Sequence, residues 1–593
     1  MTAKRIFWII GVALIFLLML AILELGKFTV WGFILTALFT GAFCACYLIF
    51  LPGAKWYFRL AAFAGWFLLF ALALLISRPP VRAVPAVEGK TPEKTGIVSV
   101  EQGDLQGVIS ADGAVEVYAG IPYAKPPVGD LRWKEPQDPE AWEGVLAADH
   151  FAPMSMQPQN SALYDSLARI IGYHDYEITA SDNYLPPVSE DSLYLNIWKP
   201  SGNAENLPVV VYIHGGSLQT GQPWYGDYSG LGLAKKQTIV VNMGYRLGVF
   251  GFYADEELAV ESPNHTTGNY GLLDQIKALE WVKKNIAAFG GDPGNITLAG
   301  ESAGSACVSA LCTSPLAKGL FRRVVMESST VASAEPPHSF RLFDEALASG
   351  KTLREKYGAK SIADLRALSA EALVAEADTQ HHITIDGYVL TELPMESYRK
   401  GIHNEEAIFH GYNSEESAPF LLFDHANLKN YESKVRGYFG EYADEILALY
   451  PVSTNAEADT AWAEIFGATF FDYPHFCLDR LAVENRIPVY EYYFSKTNGR
   501  LGPWHSGEEI YLYGNVPEKS KLFDARDRAL SAEMLAYFAN FAATGDPNGE
   551  GLPIWEQNLD GYSLMSFGDT TGMTKEKKPA LFAILDRMTG WEE

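Results

Sequence analysis

The run Asn295-Ile-Thr-Leu-Ala-Gly-Glu-Ser302-Ala-Gly-Ser305 sends an apolar strand straight into Gly-x-Ser-x-Gly. A serine hydroxyl is a weak nucleophile until a base takes its proton and hydrogen-bond donors receive the charge that forms on the carbonyl oxygen. A sharp strand-to-helix turn lifts such a serine clear of its sheet and sets the next N–H, here that of Ala303, beside the reacting carbonyl. Gly300 and Gly304 stand at the crowded positions of that turn. The chemistry implied is acyl transfer by a serine hydrolase. Gly-x-Ser-x-Gly alone arises readily by chance in a chain of 593 residues. The reading therefore depends on three partners: an oxyanion hole, a base and an acid.

For the hole, Val211-Tyr-Ile-His214-Gly-Gly-Ser217 follows a second apolar strand and precedes the serine in chain order. Glycines there let the N–H groups of Gly216 and Ser217 point inward and join that of Ala303. Each such donor contributes about 3 to 4 kcal/mol in the transition state. A plain glycine turn is the alternative. The chain has twelve histidines, so a histidine by itself decides nothing. The base is expected after the acid. In Pro503-Trp-His505-Ser-Gly-Glu508, small residues leave an imidazole room beside a substrate. The acid candidates are Glu415 and Glu416, in Ile408-Phe-His-Gly-Tyr-Asn-Ser-Glu-Glu-Ser417, where a strand end enters a loop. These residues alone do not separate the two.

The elements that must position this chemistry are an α/β set. Residues 209–213, 238–242 and 295–299 are short, continuous apolar runs, as central strands covered on both faces require. Residues 270–289 carry Leu272, Ile276, Leu279 and Val282 at helical spacing. Residues 342–376 are rich in Ala, Leu and Glu and read as helical. A serine at the carboxyl end of a strand in such an alternation suits an α/β fold.

The first eighty residues differ in kind. Residues 6–25 are apolar apart from Glu24, and residues 28–51 and 60–76 carry no charge. About 20 residues at 1.5 Å rise cross roughly 30 Å of hydrocarbon. Three membrane spans follow, the third drawing on Tyr57 and Phe58 with Arg59 reaching back to the interface. With the N-terminus inside, Lys4, Arg5, Lys55 and Arg59 face the cytoplasm, against Lys27, Arg78 and Arg82 outside. That bias places the catalytic part on the extracytoplasmic side. Residues 77–96 are rich in Pro and polar side chains and read as a linker. The net charge is −26, and the first ninety residues hold eight Lys/Arg against two Glu, so the remainder is more acidic still. Such a surface repels nucleic acid and anionic headgroups. The five cysteines suggest no disulfide framework or metal site; buried thiols are expected at Cys307 and Cys312.

From about residue 97 to 593 the chain resembles the type B carboxylesterases, the family of cholinesterases and bacterial para-nitrobenzyl esterases. Gly120-Ile-Pro-Tyr-Ala-Lys-Pro-Pro-Val-Gly129 and Ser189-Glu-Asp-Ser-Leu-Tyr-Leu-Asn-Ile-Trp198 resemble its two signatures. Tyr245-Arg-Leu-Gly-Val-Phe-Gly251, Gly290-Gly-Asp-Pro293 and Phe541-Ala-Ala-Thr-Gly-Asp-Pro-Asn548 follow its pattern too. The resemblance implies an α/β-hydrolase, a large mixed and mostly parallel sheet covered by helices, preceded here by about three transmembrane helices. It implies Ser302 as nucleophile, His505 as base and Glu416 as acid, the second residue of a run that is Glu415-Glu416-Ser417 here. Ser328 is expected beside the acid as a structural hydroxyl. Two cysteines that often form a disulfide in the family are Ser155 and Ser192 in this chain. Residues 157–189 contain no Trp, so choline esters are not supported; Tyr164, Tyr173, Tyr176 and Tyr184 are the aromatic residues there. Ser217 replaces a glycine of the hole.

The expected organisation is a membrane anchor over residues 1–76, a linker over 77–96 and a catalytic domain over 97–593. The expected activity is carboxylic-ester hydrolysis of a small-molecule substrate. No metal or cofactor is needed, and nucleic acid is not a partner. The alternatives are a hydrolase of amides, thioesters or lipids with the same triad, and a non-catalytic cholinesterase-like binding protein.

Overall fold

The computed structural model describes residues 3–26, 28–78, 87, 92–158, 187–330, 340–374, 382–497, 502–519, 522–575 and 578–591. Tyr164, Tyr173, Tyr176, Tyr184 and most of the expected linker lie outside the described residues. Two compact units divide the chain.

In the first unit the described residues form three helices, Ala3–Leu25, Val30–Phe50 and Trp56–Ile76. Each is long and apolar enough to cross a membrane. Their outward side chains are mostly apolar, with Leu14, Leu17 and Leu68 exposed and Glu24, near the end of the first helix, a charged exception. An all-round apolar surface suits lipid rather than water. Inside, the Phe43 and Trp66 rings stack at 4.5 Å and Trp8 stacks on Tyr47 at 4.7 Å. The Trp66 indole N–H donates to Thr40 Oγ1 at 3.0 Å, so the polar edge of a buried ring is satisfied between helices. Arg59 donates from its guanidinium to the carbonyl of Pro52 at 2.8 Å, at the turn between the second and third helices.

The second unit is built on a thirteen-stranded sheet. Its middle runs, in spatial order, Ile239–Met243, Leu207–Ile213, Gly291–Glu301, Arg323–Glu327, Ile408–Asn413, Val489–Phe494 and Ser563–Phe567, all parallel. Antiparallel strands flank it, including Val115–Pro122 and Tyr194–Pro200 on one side and Thr571–Lys575 on the other. The continuous apolar runs are explained by burial on both faces. Val209, Val211 and Ile213 point into one core, with Leu272, Ile276, Leu279 and Val282 of the helix Tyr270–Asn285. Val210 and Tyr212 point into the other, with Phe538 and Phe541 of the helix Ala525–Thr544.

Two elements differ from the sequence expectation. The first strand begins at Lys94, inside the span expected as linker. The helical stretch after residue 342 is three helices, Phe343–Lys356, Ile362–Arg366 and Ala370–Val374. Gly358, at φ 61°, ends the first, and Ser361 caps the second through Asp364 N.

Candidate active site

The expected site residues follow the carboxyl ends of neighbouring parallel strands, where α/β sheets leave a crevice. Gly215 to Ser217 follow Leu207–Ile213, Ser302 follows Gly291–Glu301, Ser328 follows Arg323–Glu327, Glu416 follows Ile408–Asn413 and His505 follows Val489–Phe494. The register Ile213↔Gly300 brings the first two strand ends level.

Ser302 sits at φ 53° and ψ −123°, a conformation that L-residues avoid at about 1–3 kcal/mol. Its N–H donates to Glu327 O at 2.8 Å and its carbonyl accepts from Ala306 N at 3.0 Å, so strand and helix hold it from both sides. The turn needs both glycines. A Cβ on Gly300 would lie 2.6 Å from the Gly304 carbonyl carbon, and one on Gly304 would overlap the Ile213 carbonyl. The helix Ala303–Thr313 starts at once, so the Ala303 N–H has no acceptor within the helix. Cys307 and Cys312 are buried in that helix, where burial pushes the Cys307 thiol up to about 12.

Gly215 lies against the nucleophile: a Cβ there would be 3.1 Å from Ser302 Cβ. The chain then takes three positive φ values in a row, 101° at Gly216, 56° at Ser217 and 58° at Leu218. Ser217 therefore adopts a conformation that suits the glycine it replaces. Among the described residues, the N–H groups of Gly216 and Ser217 have no acceptor. His214 is buried behind them, its ring stacked at 4.6 Å on Tyr245, and the Tyr245 hydroxyl donates to the His214 carbonyl at 2.8 Å.

His505 is buried and lies on Glu416, with Nδ1 2.6 Å from Glu416 Oε2. The other carboxylate oxygen accepts from Ser328 Oγ at 2.7 Å and Asn413 N at 2.8 Å. Glu415 is exposed, and its N–H pairs with Pro503 O at 3.0 Å to hold the histidine loop. Burial thus separates the two acid candidates. An acceptor at Nδ1 assigns the proton to that nitrogen and leaves Nε2 basic. Phe420 and Phe471 pack on the imidazole at 5.1 and 5.0 Å. Phe471 lies in a π-helical turn, Ala468–Asp472.

Residues that sequence reasoning did not single out surround this pair. Glu301, Glu327, Glu508 and Glu509 are all buried. Glu301 Oε1 accepts from Ser506 Oγ at 2.6 Å and lies 3.3 Å from His505 Nε2. Glu508 accepts from the Tyr492 hydroxyl at 2.9 Å, and Glu327 from the Tyr513 hydroxyl at 3.1 Å. Burial pushes Glu416 up to about 8, against the hydrogen bonds from Ser328 and Asn413. Burial also lifts Glu301 to about 7, opposed by the His505 charge, and Glu508 to about 7, aided by the Glu416 charge. Their only sequence signal is position: Glu301 abuts Ser302, and Glu508 follows His505 by three residues.

Ser155 and Ser192 hydrogen-bond to each other at 2.9 Å, and Ser155 Oγ donates to Tyr245 O at 2.6 Å. A hydrogen bond stands where the resemblance has a disulfide.

The family model described as Carboxylesterase family matches residues 94–581. Fumonisin B1 esterase of Sphingopyxis macrogoltabida is 32% identical over 512 residues, covering 83% of this chain and 89% of that protein. Para-nitrobenzyl esterase of Bacillus subtilis (strain 168) is 31% identical over 476 residues, covering 77% and 91%. A solved carboxylesterase of Geobacillus stearothermophilus superposes with a TM-score of 0.69 at 30% identity, over 82% of this chain and 99% of that one.

Proposed function

The chain belongs to the carboxylesterase family, and we propose that it cleaves carboxylic esters through an acyl-enzyme on Ser302, with His505 as base and Glu416 as its carboxylate partner. It is a serine carboxylesterase by that membership. One observation carries the assignment of roles: Glu416 holds His505 by Nδ1 at 2.6 Å, and both follow the carboxyl ends of strands parallel to the one that leads into Ser302.

Ser302 Oγ attacks the ester carbonyl and its proton passes to His505 Nε2. The oxyanion is received by the N–H groups of Gly216, Ser217 and Ala303. Glu416 stabilises the imidazolium and preserves the tautomer. The tetrahedral intermediate collapses, and the alcohol leaves with the proton from Nε2. Water, deprotonated by the same nitrogen, then attacks the acyl-enzyme and releases the acid. Phe420 and Phe471 give the imidazole apolar neighbours and suit an ester with apolar substituents. The three N-terminal helices act as a membrane anchor in this reading, and the charge bias of the loops favours an extracytoplasmic catalytic part.

The test uses the full chain in detergent. Chromogenic short-acyl esters turn over, and Ser302→Ala lowers kcat by about 10⁶-fold. A fluorophosphonate labels the wild type and not the variant. Matched amides and thioesters of the same acyl group are assayed beside the esters; faster amide or thioester cleavage would replace the ester reading. With neither turnover nor labelling, the binding-protein alternative takes over.

A further inference from the structure

The turn that carries two of the proposed oxyanion donors is strained, and strained turns persist only when their surroundings over-determine them. Ser217 and Leu218 are consecutive non-glycine residues at positive φ. Within the turn, Gly216 O accepts from Gln219 N at 3.0 Å and Thr220 N at 2.9 Å. From outside, Gly248 N donates to Leu218 O at 2.7 Å. Another outside support is a side chain distant in sequence. Gln157 is 8% exposed and meets Gly221 with both ends of its carboxamide. Its Nε2 donates to Gly221 O at 2.8 Å, and its Oε1 accepts from Gly221 N at 3.0 Å. The same Nε2 also donates to Ser155 O at 3.1 Å, which anchors the amide to its own strand.

Gly221 is in turn pressed against the residues that lead into the hole. Its φ is 109°, and a Cβ there would overlap His214 and Gly215. Gly215 touches Ser302 on its other side. A continuous set of contacts therefore runs from the Gln157 amide through Gly221 and Gly215 to the nucleophile and the first hole donor.

We propose that Gln157 is a positioning residue for the oxyanion hole, clamping Gly221 so that the Gly216 and Ser217 N–H groups stay aimed at the developing oxyanion. The inference rests on the serine-esterase reading above. It identifies a residue that acts through the backbone rather than on substrate. Oxyanion stabilisation is expressed in the transition state, so loss of the clamp lowers kcat and leaves ground-state binding nearly untouched.

Two variants of the full-length protein in detergent test this, each with its thermal unfolding recorded. Gln157→Ala loses all three hydrogen bonds, both of those to Gly221 among them. Its kcat on a short-acyl ester falls by about 10- to 50-fold, less than the 10²–10³ of a missing hole donor, while KM stays within about threefold. Gln157→Glu keeps the shape. As a protonated acid it can donate to Gly221 O and accept from Gly221 N; as a carboxylate it has no proton for that carbonyl. Its kcat relative to wild type therefore rises as the pH falls from about 7 to 5, while the Gln157→Ala ratio stays flat. A merely structural residue would move the unfolding midpoint without that pH-dependent rescue. Either variant retaining kcat within about twofold of wild type at pH 7, or a Gln157→Glu ratio independent of pH, overturns the proposal. A wild type that cleaves no ester and takes no fluorophosphonate sinks the esterase reading instead, and the clamp falls with it.

Discussion

His505 and His410 each rest on a buried carboxylate. Nδ1 of His505 lies 2.6 Å from Glu416 Oε2, and Nε2 of His410 lies 2.8 Å from Asp479 Oδ1. The strand Ile408–Asn413 serves both: His410 lies within it and Glu416 lies three residues past its end. Yet the second nitrogen of each ring is treated differently. At His505 it lies 3.3 Å from Glu301 Oε1. At His410 it is taken by Nδ1 of His475, 2.8 Å away, with the two rings parallel within 4°. Asp479 is committed as well, because its other oxygen accepts from Asn558 Nδ2 at 2.7 Å. Burial holds His410 down at about 4 and His475 well below its ordinary value, so this second network is neutral at its imidazoles. A histidine on a carboxylate is thus a packing unit by default. In the proposed reading His505 differs in that its second nitrogen meets a carboxyl, Glu301, and not a second buried ring.

The largest effect that sharpens this contrast is on rate. Glu416→Gln keeps the shape and removes the acceptor for Nδ1–H, and kcat should fall by about 10⁴-fold with the fold intact. Because catalysis needs the ionised carboxylate and burial raises it, wild-type kcat/KM should climb through pH of about 8. A flat profile from pH 6 to 9 would break the link between burial and activity. Next comes stability. His410→Leu leaves Asp479 and His475 without a shared partner in the core, and unfolding should become easier by about 3 kcal/mol. The kcat of the folded fraction should stay within about threefold of wild type. A rate loss as deep as that of Glu416→Gln would erase the distinction between the two histidines.

Acid separates them further. The folded pKa of His410 is depressed, so its contribution is complete above about 6.5 and is lost as pH falls toward about 4. That group alone accounts for up to about 3 kcal/mol, visible in unfolding midpoints at pH 7, 5.5 and 4.5. In His410→Leu that part of the slope disappears. The smallest effect belongs to Phe471→Ala, which uncovers one side of the His505 ring. A tilted aromatic contact is worth about 0.5–1.5 kcal/mol, so kcat should fall about two- to tenfold. A change in KM alone would make Phe471 a substrate contact and not a support for the base.

The strand-to-helix turn at Ser302 and the glycine turn before Ser217 were legible because each depends on local chain chemistry. Gly300 and Gly304 permit the turn and Gly215 and Gly216 the approach to Ser302, whereas the room expected around the imidazole is filled by Phe420 and Phe471. The choice between Glu415 and Glu416 was legible from the family resemblance and not from the residues. Their types are identical, and the fold of the turn after Asn413 decides which is buried. The four buried carboxyls around this pair were not legible. A charged residue reads as surface, and the partners that make Glu301, Glu327, Glu508 and Glu509 tolerable inside are distant in sequence: Tyr513 for Glu327, Tyr212 for Glu509 and Ser506 for Glu301. Gln157 escaped notice for the same reason, since its partner Gly221 lies 64 residues away. The three apolar helices were legible from length and composition alone.

The hydrogen bond between Ser155 and Ser192 also has a chemical consequence. All five cysteines are free. Closure of this loop therefore waits for no oxidant, no disulfide isomerase and no particular compartment. A thiol reductant has no disulfide here to cut.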